Sequence, residues 1–350
     1  MLIVKQSNIM RGGNVKKIIN KPENFVNEMI EGILRAYPNR LKCINNDLRC
    51  IVRSGKKKPG KVGLSTGGGS GHLPLFLGYV GEGMMDGCAI GNVFASPSSS
   101  KMLKVTKYID NGAGVLYIYG NYSGDKINFN MAANMAKSEG IKVEQVIGND
   151  DVASAEKRNK ENRRGIAGIF YIYKIAGACA EEGYPLDDVK RIAEKACSNV
   201  RTLGVGLSPC ILPEVSKPTF EIGEDEMEIG IGIHGEPGMG RGKLKKSDEI
   251  VENIMNSIIS DLPFKKGDEV SVLVNGLGAT PREELYIVFR KVSQILDIEN
   301  INIYNAYIDE FATSMEMAGM SISLLKLDDE LKNFLNKPAN TPFFKQAELK

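Results

Sequence analysis

The feature that most restricts the fold of this chain is a repeated order of apolar strand, glycine-rich turn and helix. Residues 61–66, KVGLST, are predicted to form a strand that runs into the glycine cluster GGGSG, and a helix-like apolar stretch follows. The order recurs at 114–125, where an apolar strand meets the turn NYSGD before a helix carrying Ile127, Met131 and Met135. Strands alternating with helices are typical of a parallel sheet, which presents catalytic groups in the loops at the carboxyl ends of its strands.

The second half of the chain continues as α/β structure. Further elements are predicted there, with strands at 228–238, 271–278 and 301–308 and a helix at 283–296. A chain of 350 residues with 42% hydrophobic composition can bury two cores. We therefore predict an α/β fold of two α/β domains, residues 1–200 and 201–350, the first with a largely parallel sheet.

A polar segment interrupts the predicted elements at 150–165, with the sequence DDVASAEKRNKENRRG. It is rich in charge and has no apolar periodicity. Such a composition predicts an exposed loop or a flexible excursion.

Composition excludes several classes of function. The 45 basic and 43 acidic residues give a net charge of +2, which indicates neither a nucleic-acid nor a membrane surface. The six cysteines have irregular spacing without a CxxC pair, so no metal site or redox motif is indicated, and buried thiols in a reducing cytoplasm are expected. No stretch approaches the roughly 20 apolar residues of a membrane span, so we expect a soluble, cytoplasmic protein.

The two histidines of the chain both lie in glycine-rich turns after a predicted strand, His72 in GGGSGH and His234 in GIHGEPG. Glycine allows the backbone to approach a ligand closely, so such turns often bind ligands. A single histidine is more often structural. Two in equivalent positions favour a functional site.

A nucleotide site is not indicated. The glycine turn before His72 opens a helix-like stretch, which is the ordinary arrangement for binding a phosphate. However, the sequence contains neither GxxxxGK[ST] nor GxGxxG at this turn. The chain is therefore not expected to bind ATP by itself.

Asp125 closes the turn NYSGD, and two roles are open for it. Aspartate is a preferred helix N-cap residue. A carboxylate beside a strand end can equally accept a hydrogen bond from a sugar hydroxyl and act as a base towards it. The two roles are compatible.

Eight ordered motifs resemble the substrate-binding K subunit of dihydroxyacetone kinases over nearly the whole chain. They lie at 16–38, 65–72 (STGGGSGH), 92–98 (NVFASPS), 121–125 (NYSGD), 163–168 (RRGIAG), 230–238 (GIGIHGEPG), 275–287 (NGLGATPREELYI) and 313–328 (TSMEMAGMSISLLKLD). The resemblance implies a phosphotransferase with an alcohol acceptor. It also implies that His234 adds to the substrate's carbonyl carbon and forms a hemiaminal. Glycerol has no carbonyl carbon and therefore cannot form this bond.

The resemblance also implies the other site residues. His72 and Asp125 correspond to the acid/base and hydrogen-bonding pair around the hydroxyl that is phosphorylated. Backbone contacts to substrate are expected from the first glycine turn, chiefly from Gly69, and a further substrate contact is expected at position 120. The residues expected to bind substrate are Gly68, Gly69, Ser70, Gly71 and Gly120.

The expected partners follow from the same resemblance. The substrate is a short keto-sugar such as dihydroxyacetone, and the K subunit is usually a homodimer. A separate L-type subunit would carry the nucleotide, either ADP as a phosphorylated cofactor in phosphotransferase-linked systems or ATP, with Mg²⁺. This chain is expected to bind no cofactor and no metal. The alternative is a ketone-binding coactivator of a transcriptional regulator without kinase activity, as some relatives are.

The chain departs from the family pattern at two places. Residues 73–76 are LPLF where the family commonly has EPAH, and Gly120 stands where phosphotransferase-linked bacterial members have a substrate-contacting lysine. Losing a lysine removes a charged donor and opens volume. The pocket could then admit one more hydroxymethylene group, so we expect a four-carbon ketose such as an erythrulose to be used at least as well as dihydroxyacetone.

Overall fold

Two β-sheets of six strands each form the framework of the computed structural model, which describes residues 16–348. The strands of the first sheet are β1 (Leu41–Ile44), β2 (Asp47–Arg53), β3 (Gly63–Ser70), β4 (Gly87–Val93), β5 (Val115–Gly120) and β6 (Val143–Gly148). The strands of the second are β7 (Val200–Gly206), β8 (Glu226–Ile229), β9 (Gly240–Lys243), β10 (Glu269–Gly276), β11 (Asn302–Asp309) and β12 (Gly319–Leu327). A two-stranded pair, β13 (Ala339–Asn340) and β14 (Lys345–Gln346), follows them.

Eight α-helices are described together with these strands. They are α1 (Phe25–Ala36), α2 (Ser99–Ile109), α3 (Ser123–Ser138), α4 (Ile169–Glu181), α5 (Leu186–Asn199), α6 (Ser247–Asp261), α7 (Arg282–Glu299) and α8 (Asp329–Asn336). The predicted helix at 283–296 corresponds to α7. Its Leu285, Val292 and Leu296 are buried at the four- and seven-residue spacing of one helix face.

The first sheet has the strand order β1-β2-β4-β3-β5-β6. Pairings β3·β4, β3·β5 and β5·β6 are parallel, whereas β1·β2 and β2·β4 are antiparallel. Because β3 and β5 are parallel neighbours, the turns after their carboxyl ends lie at the same edge of the sheet. This edge therefore carries both His72 and the NYSGD turn, and the predicted α/β fold with a largely parallel first sheet is confirmed.

The second sheet has the order β11-β10-β12-β7-β8-β9 and is mostly antiparallel. Only β10·β11 is parallel within it. The three strands predicted in this half correspond to β8, β10 and β11, but β8 ends at Ile229, so the loop that carries His234 begins earlier than predicted.

The two sheets are joined by one hydrophobic core. Helix α4 lies in it with every residue from Ile169 to Ala180 buried, and the same core includes Ile30 from α1 and Leu325 from β12. The predicted boundary between residues 200 and 201 falls at the start of β7, within a continuous core, and remains a prediction. No helix among residues 16–348 is long and apolar enough to cross a membrane.

Two local predictions were wrong. The glycine cluster lies inside β3, and only a short 3₁₀ turn, Leu77–Tyr79, follows it instead of a helix. The segment 150–165 is exposed in its middle, but Asp150, Asp151 and Arg163 are buried at its ends. These charges are stable inside the protein because each one has an ion-pair or backbone hydrogen-bond partner.

Candidate active site

His72 lies two residues after β3 and is 1% exposed. Its Nδ1 is 2.8 Å from the carbonyl oxygen of Thr313, which belongs to the loop between β11 and β12. A carbonyl only accepts, so Nδ1 carries the proton and Nε2 of the neutral ring has a free lone pair. Nε2 is buried without a hydrogen-bond partner. The site therefore contains a proton acceptor that no protein group satisfies.

The His72 ring is neutral because of its surroundings. Burial, helped by the nearby His234, lowers the pKa of His72 to about 3, although the Thr313 carbonyl and Glu236 oppose this shift. Phe94 stacks on the ring with the centroids 4.8 Å apart. Phe76, from the LPLF departure, meets it edge-on at 6.0 Å.

His234 lies in the loop between β8 and β9, and its side chain is 23% exposed. The Glu236 carboxylate accepts twice from this residue, from Nδ1 at 2.7 Å and from the backbone N–H at 2.9 Å. Burial would raise the pKa of Glu236, but the hydrogen bonds and charge of His234 outweigh it and lower the pKa to about 2. An ionised Glu236 holds the Nδ1 proton in place, so Nε2 is the ring nitrogen whose lone pair is available as a nucleophile when the ring is neutral.

The two histidines are in contact although they belong to different sheets. Their ring centroids are 4.8 Å apart and the planes are nearly perpendicular. Phe94 and Tyr122 also meet the His234 ring edge-to-face, at 5.1 and 4.8 Å. The Tyr122 hydroxyl is buried without a partner, and burial raises its pKa well above 10, so it remains a phenol. The two imidazoles are thus packed against aromatic rings, and the Tyr122 hydroxyl beside them has no hydrogen-bond partner.

Asp125 is the third residue of α3 and is 7% exposed. Because α3 begins at Ser123, Asp125 is not its N-cap residue. Its Oδ1 has no hydrogen-bond partner. Burial raises the pKa of Asp125 to about 6, with Ser96 and His234 partly opposing the shift. The carboxylate is therefore a stronger base than an ordinary aspartate, its charge interacts with His234, and it is not the N-cap of α3.

The first glycine turn is required by the protein's own packing. A Cβ on Gly68 would lie 2.3 Å from the Phe76 ring, and one on Gly69 would lie 2.6 Å from the backbone nitrogen of Ala95. Gly71 has φ +104°, a conformation that favours glycine. Ser70 donates to the Gly91 carbonyl at 2.9 Å inside the sheet. These residues form the floor beside His72, and their contact with substrate remains a prediction.

The space at Gly120 is already occupied. A Cβ there would lie 3.0 Å from Cε2 of Tyr122 and 3.2 Å from the carbonyl oxygen of Gly165. The absence of a lysine side chain at this position therefore opens no volume, because the Tyr122 ring lies against the glycine. The premise that a vacated space admits a longer ketose is wrong for this site.

Several site residues were missed in the sequence. Glu236 lies two residues after His234, and its spacing within HGEPG could have indicated it. Tyr122 lies in the NYSGD turn and Phe94 in NVFASPS, so motif membership was their only signal. Thr313 is 241 residues from His72, and no local pattern links the two.

Comparison with protein-family models matches the Dak1 domain over residues 31–343. The chain belongs to the Dak1 family. This Dak1 protein is 44% identical over 331 residues to the dihydroxyacetone-binding subunit of a phosphotransferase-dependent dihydroxyacetone kinase of Listeria innocua, covering 95% of the chain and 99% of the relative. It is 38% identical to the L-erythrulose kinase of Pectobacterium atrosepticum, with 95% of the chain but 56% of the relative covered. The resemblance read from the motifs is confirmed.

Two solved structures share the Dak1 fold of this protein. The dihydroxyacetone kinase of C. freundii in complex with AMP-PNP and Mg²⁺ superimposes with a TM-score of 0.87 at 32% identity, covering 95% of this chain and 61% of that chain. A dihydroxyacetone kinase operon co-activator superimposes with a TM-score of 0.85 at 33% identity, covering 91% of this chain and 98% of that chain. The fold is therefore shared by a kinase and by a co-activator, so the fold alone does not separate the two functions.

Proposed function

We propose that this Dak1 protein binds a short keto-sugar covalently on His234 and presents its hydroxyl for phosphorylation by a nucleotide-carrying L subunit. The observation that carries the proposal is the pairing of His234 Nδ1 with Glu236 at 2.7 Å, which leaves Nε2 as the free nitrogen. His72 Nε2 and Asp125 Oδ1 are both buried without a hydrogen-bond partner, which supports a role for both around the substrate.

The addition step follows from this arrangement. The Nε2 lone pair of His234 forms a bond to the carbonyl carbon while the C=O π pair moves to oxygen. The alkoxide oxygen takes a proton from a water molecule, and the imidazolium returns one proton to the resulting hydroxide, so the hemiaminal is neutral and the water is regenerated. Because the step needs a carbonyl carbon, polyols are excluded by chemistry rather than by size.

The transfer step needs a base for the substrate hydroxyl. A catalytic base works best when its pKa is near the operating pH. The pKa of about 6 makes Asp125 the stronger base of the pair, whereas His72, with a pKa of about 3, is suited to accepting a hydrogen bond at Nε2. We assign proton removal to Asp125 and orientation of the hydroxyl to His72.

The phosphoryl donor is assigned to a partner. The chain has no GxxxxGK[ST] motif, and residues 16–348 contain no cluster of three His, Cys, Asp or Glu side chains that could hold a metal ion. ADP or ATP with Mg²⁺ is therefore expected on the L subunit. Assembly of this chain as a homodimer remains a prediction, which light scattering after gel filtration would test.

The co-activator relative supports a second candidate function, in which the ketone is bound but nothing is transferred. Covalent binding alone does not separate the two functions. Phosphoryl transfer in the presence of the cognate L subunit does, since a co-activator would bind the ketone without turnover.

The test of the proposal uses intact-protein mass spectrometry with dihydroxyacetone under non-denaturing conditions. Wild-type protein and His72→Ala should both carry the ketone mass, whereas His234→Ala should carry none and should keep its circular dichroism spectrum. An adduct that persists in His234→Ala would overturn the assignment of the nucleophile.

A further inference from the structure

Arg164 connects the polar segment 150–165 to the loop that carries His234. Its side chain is 12% exposed, and its Nε and Nη2 lie 2.9 and 2.8 Å from Oδ2 of Asp151, which is 1% exposed. Nη2 also donates to the carbonyl oxygen of Gly230 at 2.8 Å. One guanidinium therefore binds a buried carboxylate and the first residue of the Gly230–Gly238 loop.

The far side of the same guanidinium faces Glu236. A Cβ placed on Gly232 would lie 2.5 Å from Nη1 of Arg164 and 2.1 Å from Oε2 of Glu236. Both atoms thus surround one point beside the Gly232 backbone, where only glycine fits. Glu236 uses its two oxygens on the Nδ1 and backbone N–H of His234.

The segment that carries Arg164 is itself fixed to the start of α4 and to the second sheet. Asp150 accepts from the backbone N–H groups of Ile166 and Gly168 at 2.9 and 2.8 Å. The backbone of Asp151 forms a bridge to Thr202 of β7, and its N–H donates to the carbonyl of Arg164. Arg164 is therefore held on a rigid support and not on a mobile loop.

We propose that Arg164 is a positioning residue for His234: it fixes the Gly230–Gly238 loop and holds the Glu236 carboxylate where it accepts the Nδ1 proton. This inference rests on the proposed function and adds the residue that orients the nucleophile. A guanidinium suits the task because its planar fork reaches a carboxylate and a carbonyl together while its charge attracts a second carboxylate. A lysine has one nitrogen and cannot bind Asp151 and the Gly230 carbonyl in this way while a second nitrogen faces Glu236.

Arg164 would also pair with Asp151 if it only stabilised the fold. The variants must therefore separate this stabilising role from the positioning of His234. Arg164→Gln alone leaves Asp151 buried and unpaired, which endangers folding. The double variant Asp151→Asn with Arg164→Gln removes both charges of the pair. Arg164→Lys keeps the positive charge but loses the planar guanidinium with its several N–H donors. Arg158→Gln is the matched control, because Arg158 lies in the same segment and pairs with the exposed Glu156.

The readouts are the ketone affinity, by calorimetry with dihydroxyacetone, and the ¹⁵N signals of the His234 ring in the unliganded protein. With two histidines in the chain, the His72 variant assigns the spectrum. In wild type we expect the Nδ1–H tautomer of His234. The double variant should show mixed tautomers and a loss of affinity of about 10- to 100-fold, as found when groups that orient metal-binding histidines are removed. Arg164→Lys should fall between, and Arg158→Gln should match wild type.

Wild-type tautomer signals and wild-type affinity in a folded double variant would overturn the inference. If the double variant does not fold, Arg164→Lys decides by the same two measurements, and wild-type values there would overturn it as well. If wild type itself binds no ketone, the proposed function fails, but the tautomer signals of the unliganded variants still test the role of Arg164.

Discussion

Replacing Asp125 by asparagine should stabilise the protein at neutral pH while removing most of its transfer activity. Burial raises the pKa of this carboxyl from 3.8 to about 6. Since one unit of pKa shift corresponds to about 1.4 kcal/mol, keeping the carboxylate ionised in the folded state costs about 3 kcal/mol above pH 6. Asparagine has the same shape and never ionises, so this cost disappears.

The pH dependence gives the sign of the effect. The pKa of Asp125 in the folded state lies above its value in the unfolded state. Wild type is therefore most stable, relative to a variant without this carboxyl, below about pH 4, and it loses this stability as the pH rises to about 6. Asp125→Asn should therefore raise the free energy of unfolding by about 1 to 3 kcal/mol at pH 8, allowing for an unpaired amide, and by about half as much at pH 5. The exposed Asp225 provides the control, Asp225→Asn, which should show no such trend.

The assays are urea unfolding at pH 5 and pH 8 and phosphoryl transfer with the L subunit present. The transfer rate should fall by about 10²- to 10⁴-fold, the usual contribution of a general base, and the wild-type rate should itself fall as the pH drops through about 6. An asparagine variant that is less stable than wild type at both pH values, or one that keeps the wild-type rate, would refute this account of Asp125.

Four further predictions concern the site and the phosphoryl donor. His72→Ala should keep the fold and the ketone adduct but slow transfer, measured as kcat with the L subunit, and an unchanged kcat would return His72 to a structural role. The purified chain with ATP and Mg²⁺ alone should show no kinase activity in a coupled assay until the L subunit is added, and turnover without it would reveal an unrecognised nucleotide site. Gly120→Lys should weaken ketone binding, because its Cβ would lie 3.0 Å from the Tyr122 ring. The four-carbon prediction has lost its support from space at Gly120, and comparing kcat/KM for dihydroxyacetone and erythrulose in wild type tests it directly: a clear preference for dihydroxyacetone would contradict it.

The sequence predicted the sheet edge that carries the site because alternating strands and helices leave few arrangements. The glycine clusters at the end of β3 and in the His234 loop likewise identified the two histidines. The partners of these residues were not predictable, since Thr313 and His72 meet only when the two sheets pack. A local pattern carries no information about such a contact.

The polar segment 150–165 was misread for a related reason. A run of charges indicates solvent when each charge is considered alone, yet Asp151 pairs with Arg164 and Arg163 pairs with Asp261 of α6. Buried charges are stable only in such pairs, and the pairing depends on tertiary contacts. Helix α3 shows the same limit. Its Ile127 and Met131 are exposed, because the smaller Ala132 and Ala133 lie on the side that packs closely against the sheet.

The candidate active site is formed by both halves of the chain together. His72 and Asp125 follow strands of the first sheet, whereas His234 lies in a loop of the second sheet. The His72 ring is held by the carbonyl of Thr313, which lies in the loop between β11 and β12 of the second sheet. A ketone bonded to His234 and hydrogen-bonded to Asp125 would then link the two halves of the chain through one bound molecule. Bound substrate should therefore slow amide hydrogen exchange more where the two sheets meet than at their outer strands. It should also make the two halves unfold in one transition, at a higher temperature than without substrate.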